Sequence, residues 1–165
     1  MILNKIFKNT LLVLAACLVL SACATKKEVT TDATISGQMQ SDVYTGTDSV
    51  EYLADGVKDR VFFATNESIL TTASRETLRA QAAWLRKNSN INVVLEGHAD
   101  ERGTREYNLA LGERRAYSVK SFLSSLGVAE DRISVISFGK EKPQSSGDNE
   151  SSWAQSRTAI TIINP

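Results

Sequence analysis

Between residues 91 and 126 the hydrophobic period of the chain changes, and that change narrows the folds open to it more than any other feature. The apolar run over 91–95 reads as a buried strand, and the segment 97–104, opened by Gly97 and carrying Gly103, reads as a turn. From 105 to 126 apolar residues recur at helical spacing, and Gly127 stands where such a helix ends. A buried strand that feeds a long helix has to fold that helix back across its own sheet, so layers of strand and helix follow. Asp100 falls in the loop between the two.

The chain from residue 57 onward repeats this alternation. Val61, Phe62 and Phe63 read as a first strand, and Thr71 or Thr72 caps a helix that runs to about Lys87, with Leu78, Ala82 and Leu85 on its inner face and Trp84 near its edge. The second strand runs over 91–96 and the second helix over 105–126. A third strand over 133–137, a loop over 139–147 holding Pro143, a short helix over 149–155 and an alternating strand over 158–163 complete the pattern. The expected fold is an α/β (α+β) sandwich, a mixed four-stranded sheet with helices packed on one face. Phe62, Phe63, Phe122 and Phe138 are expected in the core, while Tyr107, beside the Asp100 loop, suits either a packing or a binding role.

Residues 1–22 have the layout of an export signal, with Lys5 and Lys8 before an apolar stretch over 11–20 and small residues after it. The stretch is short for a membrane span. Leu20-Ser21-Ala22-Cys23 has the form of a bacterial lipoprotein cleavage site, in which Cys23 is acylated and becomes the mature amino terminus. Cys17 leaves with the signal, so the domain is expected to hold no disulfide although it enters an oxidising compartment, and its stability has to come from its core. Cleavage leaves 143 residues, room for one domain and a tether. It also takes two of the 19 basic residues, against 19 acidic ones, for a formal balance of −2 that gives no sign of nucleic-acid binding. Over 23–56 small and polar residues dominate without a sustained period, which reads as a mobile tether of roughly 30 Å mean span and about 100 Å stretched reach. Tyr44, Val50, Tyr52 and Leu53 are exceptions that can pack or bind a partner. The expected folded domain is then 57–165.

On the second helix Tyr107, Leu111 and Arg115 are spaced i, i+4, i+8, and Asn108 joins them through i, i+3, i+7, so Arg115 can face back toward the loop that holds Asp100. A carboxylate and a guanidinium flanking a small cleft suit a zwitterion, because Asp accepts from an ammonium while Arg forks onto a carboxylate. Spacing alone equally allows a structural pair. Glu96, His98, Asp100 and Glu101 invite a hydrolase or metal reading, but His98 is the only histidine in the sequence and no cysteine remains in the expected domain. Glu96 and His98 lie on alternate positions of a strand end, where bracing the loop by hydrogen bonds is their expected work. Neither catalysis, a metal nor a cofactor is expected, and a module that docks only proteins stays open.

The run from Glu96 to Arg115, then Gly127-Val128, then Ser137-Phe138-Gly139-Lys140-Glu141-Lys142-Pro143, resembles the OmpA-like peptidoglycan-binding domain over about residues 57–165. The lipidation site and tether are similar to those of lipid-anchored members of that family. The resemblance implies a noncovalent anchor in a Gram-negative bacterium, joined to the outer membrane through acylated Cys23, with its domain facing the periplasm. It further implies work with the Tol proteins (TolB, with TolA as a further candidate) during envelope constriction at division. The family's ligand is the diaminopimelate of the peptidoglycan stem peptide, a zwitterion at its free end, and the gripping pair falls on Asp100 and Arg115. Gly103, Thr104, Tyr107, Asn108 and Leu111 match positions that line the same pocket, and Arg157 matches a supporting arginine. Two stretches depart from the family pattern. Phe62-Phe63 is followed by Ala64-Thr65-Asn66 rather than acids, and Ser156-Arg157-Thr158 stands where an Asn-Arg-Arg triplet is common.

Overall fold

The computed structural model describes residues 42–46 and 51–164. The expected leader 1–22, Cys23 and the rest of the expected tether lie outside the described residues. Strands β1 (Tyr52–Ala54) and β2 (Val57–Lys58) form a hairpin. Strands β3 (Arg60–Phe62), β4 (Asn92–His98), β5 (Ile133–Gly139) and β6 (Thr158–Asn164) form a four-stranded sheet in the order β3-β6-β4-β5. β6 runs antiparallel to β3 and β4, and β4 runs parallel to β5, so the sheet is mixed as expected. The helices are α1 (Thr72–Lys87), α2 (Arg105–Ser125) and the short α3 (Glu150–Ser156).

Each long helix is bounded by its own sequence. The Thr71 hydroxyl caps α1 by accepting from the Ser74 amide, and Asn88 closes it by donating from both its backbone and its side chain to the Trp84 carbonyl. α2 starts at Thr104, whose hydroxyl accepts from the Tyr107 amide at 3.2 Å. It ends with Gly127 at φ +86°, where the Val128 amide donates to the Leu123 carbonyl and the Gly127 amide to that of Ser124, the paired bonds that a left-handed residue makes possible.

The core lies between the sheet and the two long helices. Val61, Phe63, Val93, Leu95, Ile133 and Ala159 meet Leu78, Ala82 and Leu85 of α1 and Ala116, Val119 and Leu123 of α2. The opposite sheet face carries the more exposed Ile136 and Ile162. One polar bridge crosses the interior: the Gln81 amide donates to the Lys58 carbonyl and accepts from the Thr161 hydroxyl, each at 2.8 Å.

Two boundaries differ from the sequence reading. β4 continues through Gly97 to His98 instead of turning at Gly97, because α2 lies directly on it. A Cβ on Gly97 would fall 1.9 Å from the Gly112 carbonyl oxygen, one on Gly112 would fall 2.4 Å from the Ser137 hydroxyl, and one on Gly139 would fall 2.8 Å from the Leu109 nitrogen. The Ser137 hydroxyl also donates to the Leu109 carbonyl at 2.6 Å. Gly97 is thus a helix-packing residue, and the loop that follows runs only from Ala99 to Thr104. The fold also begins upstream of residue 57, since β1 and the segment 42–46 rest on the domain.

Candidate functional site

The close seat of α2 brings its first turn and the preceding loop over the ends of β4 and β5. Asp100 lies in that loop, buried, and its carboxylate accepts from the Arg102 amide and Nε, each at 3.2 Å, and from Arg102 Nη2 at 2.7 Å. Arg157 Nη1 stands 3.5 Å away on the other side. Burial alone would raise the Asp100 pKa, but the bonds and charge of Arg102, followed by the charge of Arg157, outweigh it and hold the carboxyl below the ordinary value. Asp100 is a fixed anion at neutral pH.

Arg115 projects from α2 beneath the same loop and is fully buried. It makes no hydrogen bond to Asp100. Nε donates to the Glu67 carbonyl at 2.8 Å, Nη1 to that of His98 at 2.8 Å and Nη2 to that of Ala64 at 3.0 Å, so one guanidinium ties the end of β4 to the turn after β3. Asn66 in that turn adopts φ +58°, a left-handed conformation that asparagine tolerates. Burial pushes the Arg115 pKa down to about 10, opposed first by the charge of Asp100, and the group stays protonated near neutrality. A cation with no hydrogen-bonded carboxylate among the described residues therefore underlies the loop.

The other expected site residues divide by accessibility. Asn108 and Leu111 are buried under the loop, where Asn108 Nδ2 donates to the Arg102 carbonyl at 2.8 Å. Gly103 takes φ +90° just before the helix cap Thr104, and Tyr107, 44% exposed, faces outward. Glu96 and His98 point to the opposite sheet face. There Lys142 Nζ donates to Glu96 at 2.8 Å, and His98 Nδ1 lies 3.1 Å from the Lys142 carbonyl, so both hold the chain that leaves β5. With the proton on Nδ1, His98 Nε2 has no hydrogen-bond partner, and Glu96 lies 3.5 Å away. Burial, only partly opposed by the Glu96 charge, pushes the His98 pKa down to about 4. Among the described residues there is no group of three or more His, Cys, Asp or Glu side chains placed to hold a metal.

Four residues outside the sequence reading, Arg102, Trp153, Lys140 and Glu150, complete the site beside the expected Arg157. Arg102, 40% exposed, stacks over the Trp153 ring at 4.4 Å and lies 3.7 Å from Glu150. Trp153 Nε1 donates to Glu101 at 2.9 Å, and Lys140 Nζ donates to the Gly103 carbonyl at 2.7 Å and that of Glu101 at 3.1 Å. Arg157, fully buried, donates to Glu150 at 2.7 Å and to the carbonyls of Phe63 and Asp42. Arg102 was legible as the residue two places beyond Asp100, where a loop side chain readily returns to a carboxylate. Trp153, Lys140 and Glu150 reach the loop only through the tertiary fold. At the positions that depart from the family pattern the work is structural: Ala64 offers its carbonyl to Arg115, Ser156 accepts from the Gln144 amide, and Thr158 donates to the Val61 carbonyl. The result is a rigid loop bearing a fixed anion, backed by a buried cation and flanked by an exposed arginine, an aromatic plane and the N-terminus of α2.

Comparisons with known proteins bear on the family and the fold. A family model described as the OmpA family matches residues 62–157. The chain is 41% identical over 162 residues to the peptidoglycan-associated lipoprotein of Rhizobium meliloti (strain 1021), covering 98% of this chain and 91% of the relative. It is 40% identical over 147 residues to the protein of the same name from Brucella suis, covering 89% of this chain and 86% of that one. The crystal structure of the peptidoglycan-associated lipoprotein from Burkholderia pseudomallei superposes with a TM-score of 0.63 at 38% identity, over 65% of this chain and 91% of that chain. The C-terminal domain of Helicobacter pylori MotB, at 17% identity and a TM-score of 0.61 over 65% of this chain and 84% of that one, shares the fold.

Proposed function

Since the chain belongs to the OmpA family, with peptidoglycan-associated lipoproteins as its relatives, we propose that its domain holds peptidoglycan noncovalently through the diaminopimelate of the stem peptide. It is a binding protein and not an enzyme. The observation that carries the ligand assignment is the rigid Asp100 loop. An anion kept ionised at neutral pH suits an ammonium, while the buried charge of Arg115, the exposed Arg102 and the amides at the start of α2 favour the neighbouring carboxylate. Tyr107 supplies an accessible wall beside them.

In this reading the lipid on Cys23 holds the chain in the outer membrane and the tether carries the domain through the periplasm to the wall. Many copies facing one polymer hold the layers together while single contacts exchange. Work with TolB, and with TolA as a further candidate, at sites of constriction belongs to the same reading and rests on family resemblance.

The test is binding of the full lipoprotein, in detergent micelles, to a muramyl stem peptide containing meso-diaminopimelate and to its lysine-containing counterpart. The expected result is calorimetric binding to the first only, weakened tenfold or more in Asp100→Asn, which keeps the shape of the side chain and removes its charge. Equal affinity for both peptides, or no effect of Asp100→Asn, would remove the site.

A further inference from the structure

Residues 42–46 belong by composition to the tether, yet they are seated on the domain beside Asp100. The Asp42 carboxylate accepts from the Thr65 amide at 2.7 Å, and its backbone carbonyl accepts from Arg157 Nη2. Tyr44 packs edge-on against Phe62 with ring centroids 4.8 Å apart. The segment forms one wall of a cleft of about 540 Å³ whose other walls come from β3 and the start of α1. Thr65 also accepts at its hydroxyl from Arg102 Nη2 at 3.4 Å, and Arg102 and Arg157 are the two arginines on Asp100. Asp42, Thr65, Arg102, Arg157 and Asp100 therefore form one network.

With the segment in place, the arginines around Asp100 are already engaged. Arg115 is shared among three carbonyls, Arg102 is forked onto Asp100, and Arg157 is divided among Phe63, Glu150, Asp100 and Asp42. A ligand carboxylate can reach the exposed side of Arg102, but to bond the Thr65 amide beside it as well it has to displace Asp42. Glu150 belongs to α3 and Asp100 to a loop stapled on both sides, whereas Asp42 belongs to a segment held by two hydrogen bonds and one aromatic contact. Burial raises the Asp42 pKa, but the Thr65 bonds outweigh it and keep the group an anion, so a carboxylate already occupies the Thr65 amide.

We propose that residues 42–46 are a latch: the Asp42 carboxylate holds the Thr65 amide beside Arg102, where the ligand carboxylate would enter, while its backbone carbonyl holds Arg157, so the domain grips its ligand tightly only when the segment lifts. This rests on the wall-binding reading above. The latch also lies on the covalent path between the proposed lipid anchor and the domain. Tension along the tether, as membrane and wall move apart, peels it away and frees the site, so the hold tightens under load.

The test is calorimetry of the full lipoprotein in detergent micelles with the meso-diaminopimelate stem peptide, comparing the parent, Tyr44→Ala alone and the Asp42→Ala, Tyr44→Ala double variant. A latch closed most of the time lowers apparent affinity by the fraction open, so both variants should bind at least about fivefold more tightly. Tyr44→Ala alone touches neither Arg157 nor Thr65, and its tightening would support release of the segment rather than repair of a charge. Equal or weaker binding by the variants would overturn the latch while leaving wall binding intact. Binding by none of the three would overturn the wall-binding reading and the latch with it.

Discussion

Arg115 and Arg157 are equally removed from water and lie on either side of the same loop, yet they are held in different ways. Arg115 spends its donors on three backbone carbonyls, one at the end of β4 and two in the turn after β3, and bonds to no carboxylate among the described residues. Arg157 bonds to Glu150 and lies within 3.5 Å of Asp100. A guanidinium surrounded by neutral dipoles keeps its full charge to act on whatever approaches, whereas one matched to carboxylates is largely neutralised. The first is a structural post that lends the site a positive field, and the second is an internal partner. His98, also fully buried, is a contrasting case, because burial with one carbonyl partner leaves it neutral.

The largest effect should come from Arg115→Ala, which strands three carbonyls away from water. A loss of about 4 kcal/mol in urea unfolding is expected, with little rescue by Arg115→Lys, whose single ammonium cannot reach all three. A loss as small as that of a surface pair would erase the distinction between the two arginines. Next is His98. Its folded pKa of about 4 lies below its ordinary value near 6.5, so its contribution is whole above pH 6.5 and drains as pH falls toward 4. Up to about 3 kcal/mol is at stake across that window. Unfolding of His98→Gln followed between those limits should show a flatter pH dependence than the parent, and parallel curves would mean that His98 is not the group that titrates. Arg157→Gln should cost about 2 kcal/mol, less than the Arg115 change, because Glu150 can turn to solvent while Asp100 keeps Arg102. A melting curve that ranks it above Arg115→Ala would reverse the assignment. Glu150→Ala should cost below about 1 kcal/mol, as its side chain is 54% exposed. A larger loss would make Glu150 a core partner.

Much of the scaffold was legible in the sequence because its signals are local. Leu78, Ala82 and Leu85 at helical spacing, Thr71 ahead of them, and Gly127-Val128 after the second helix each fix a neighbour within a few residues. Asp100 and Arg115 were legible as members of one neighbourhood, though not as their actual contacts: the i, i+4, i+8 rule gives the direction of Arg115 but not the carbonyls of Ala64 and Glu67 that receive it. Gly97 was misread as a turn because its role depends on Gly112, fifteen residues away. The hairpin β1–β2 is too short to show a period, and Asp42 reaches Thr65 across a gap that no local rule spans.

The order of strands has a consequence for how the molecule is made. β6 is the last of the described strands in sequence, yet it lies between β3 and β4, pairing Arg60 with Ile160 and Glu96 with that same isoleucine. Until residues 158–164 are available, β3 has no partner in the main sheet and β4 is open along one edge. The contacts that would reward folding connect residues about one hundred positions apart, so they come late on the ribosome and late in the chain's collapse. Closure of the sheet is therefore a late step, and β3 and one edge of β4 wait for it unpaired while β4, α2 and β5 can already assemble.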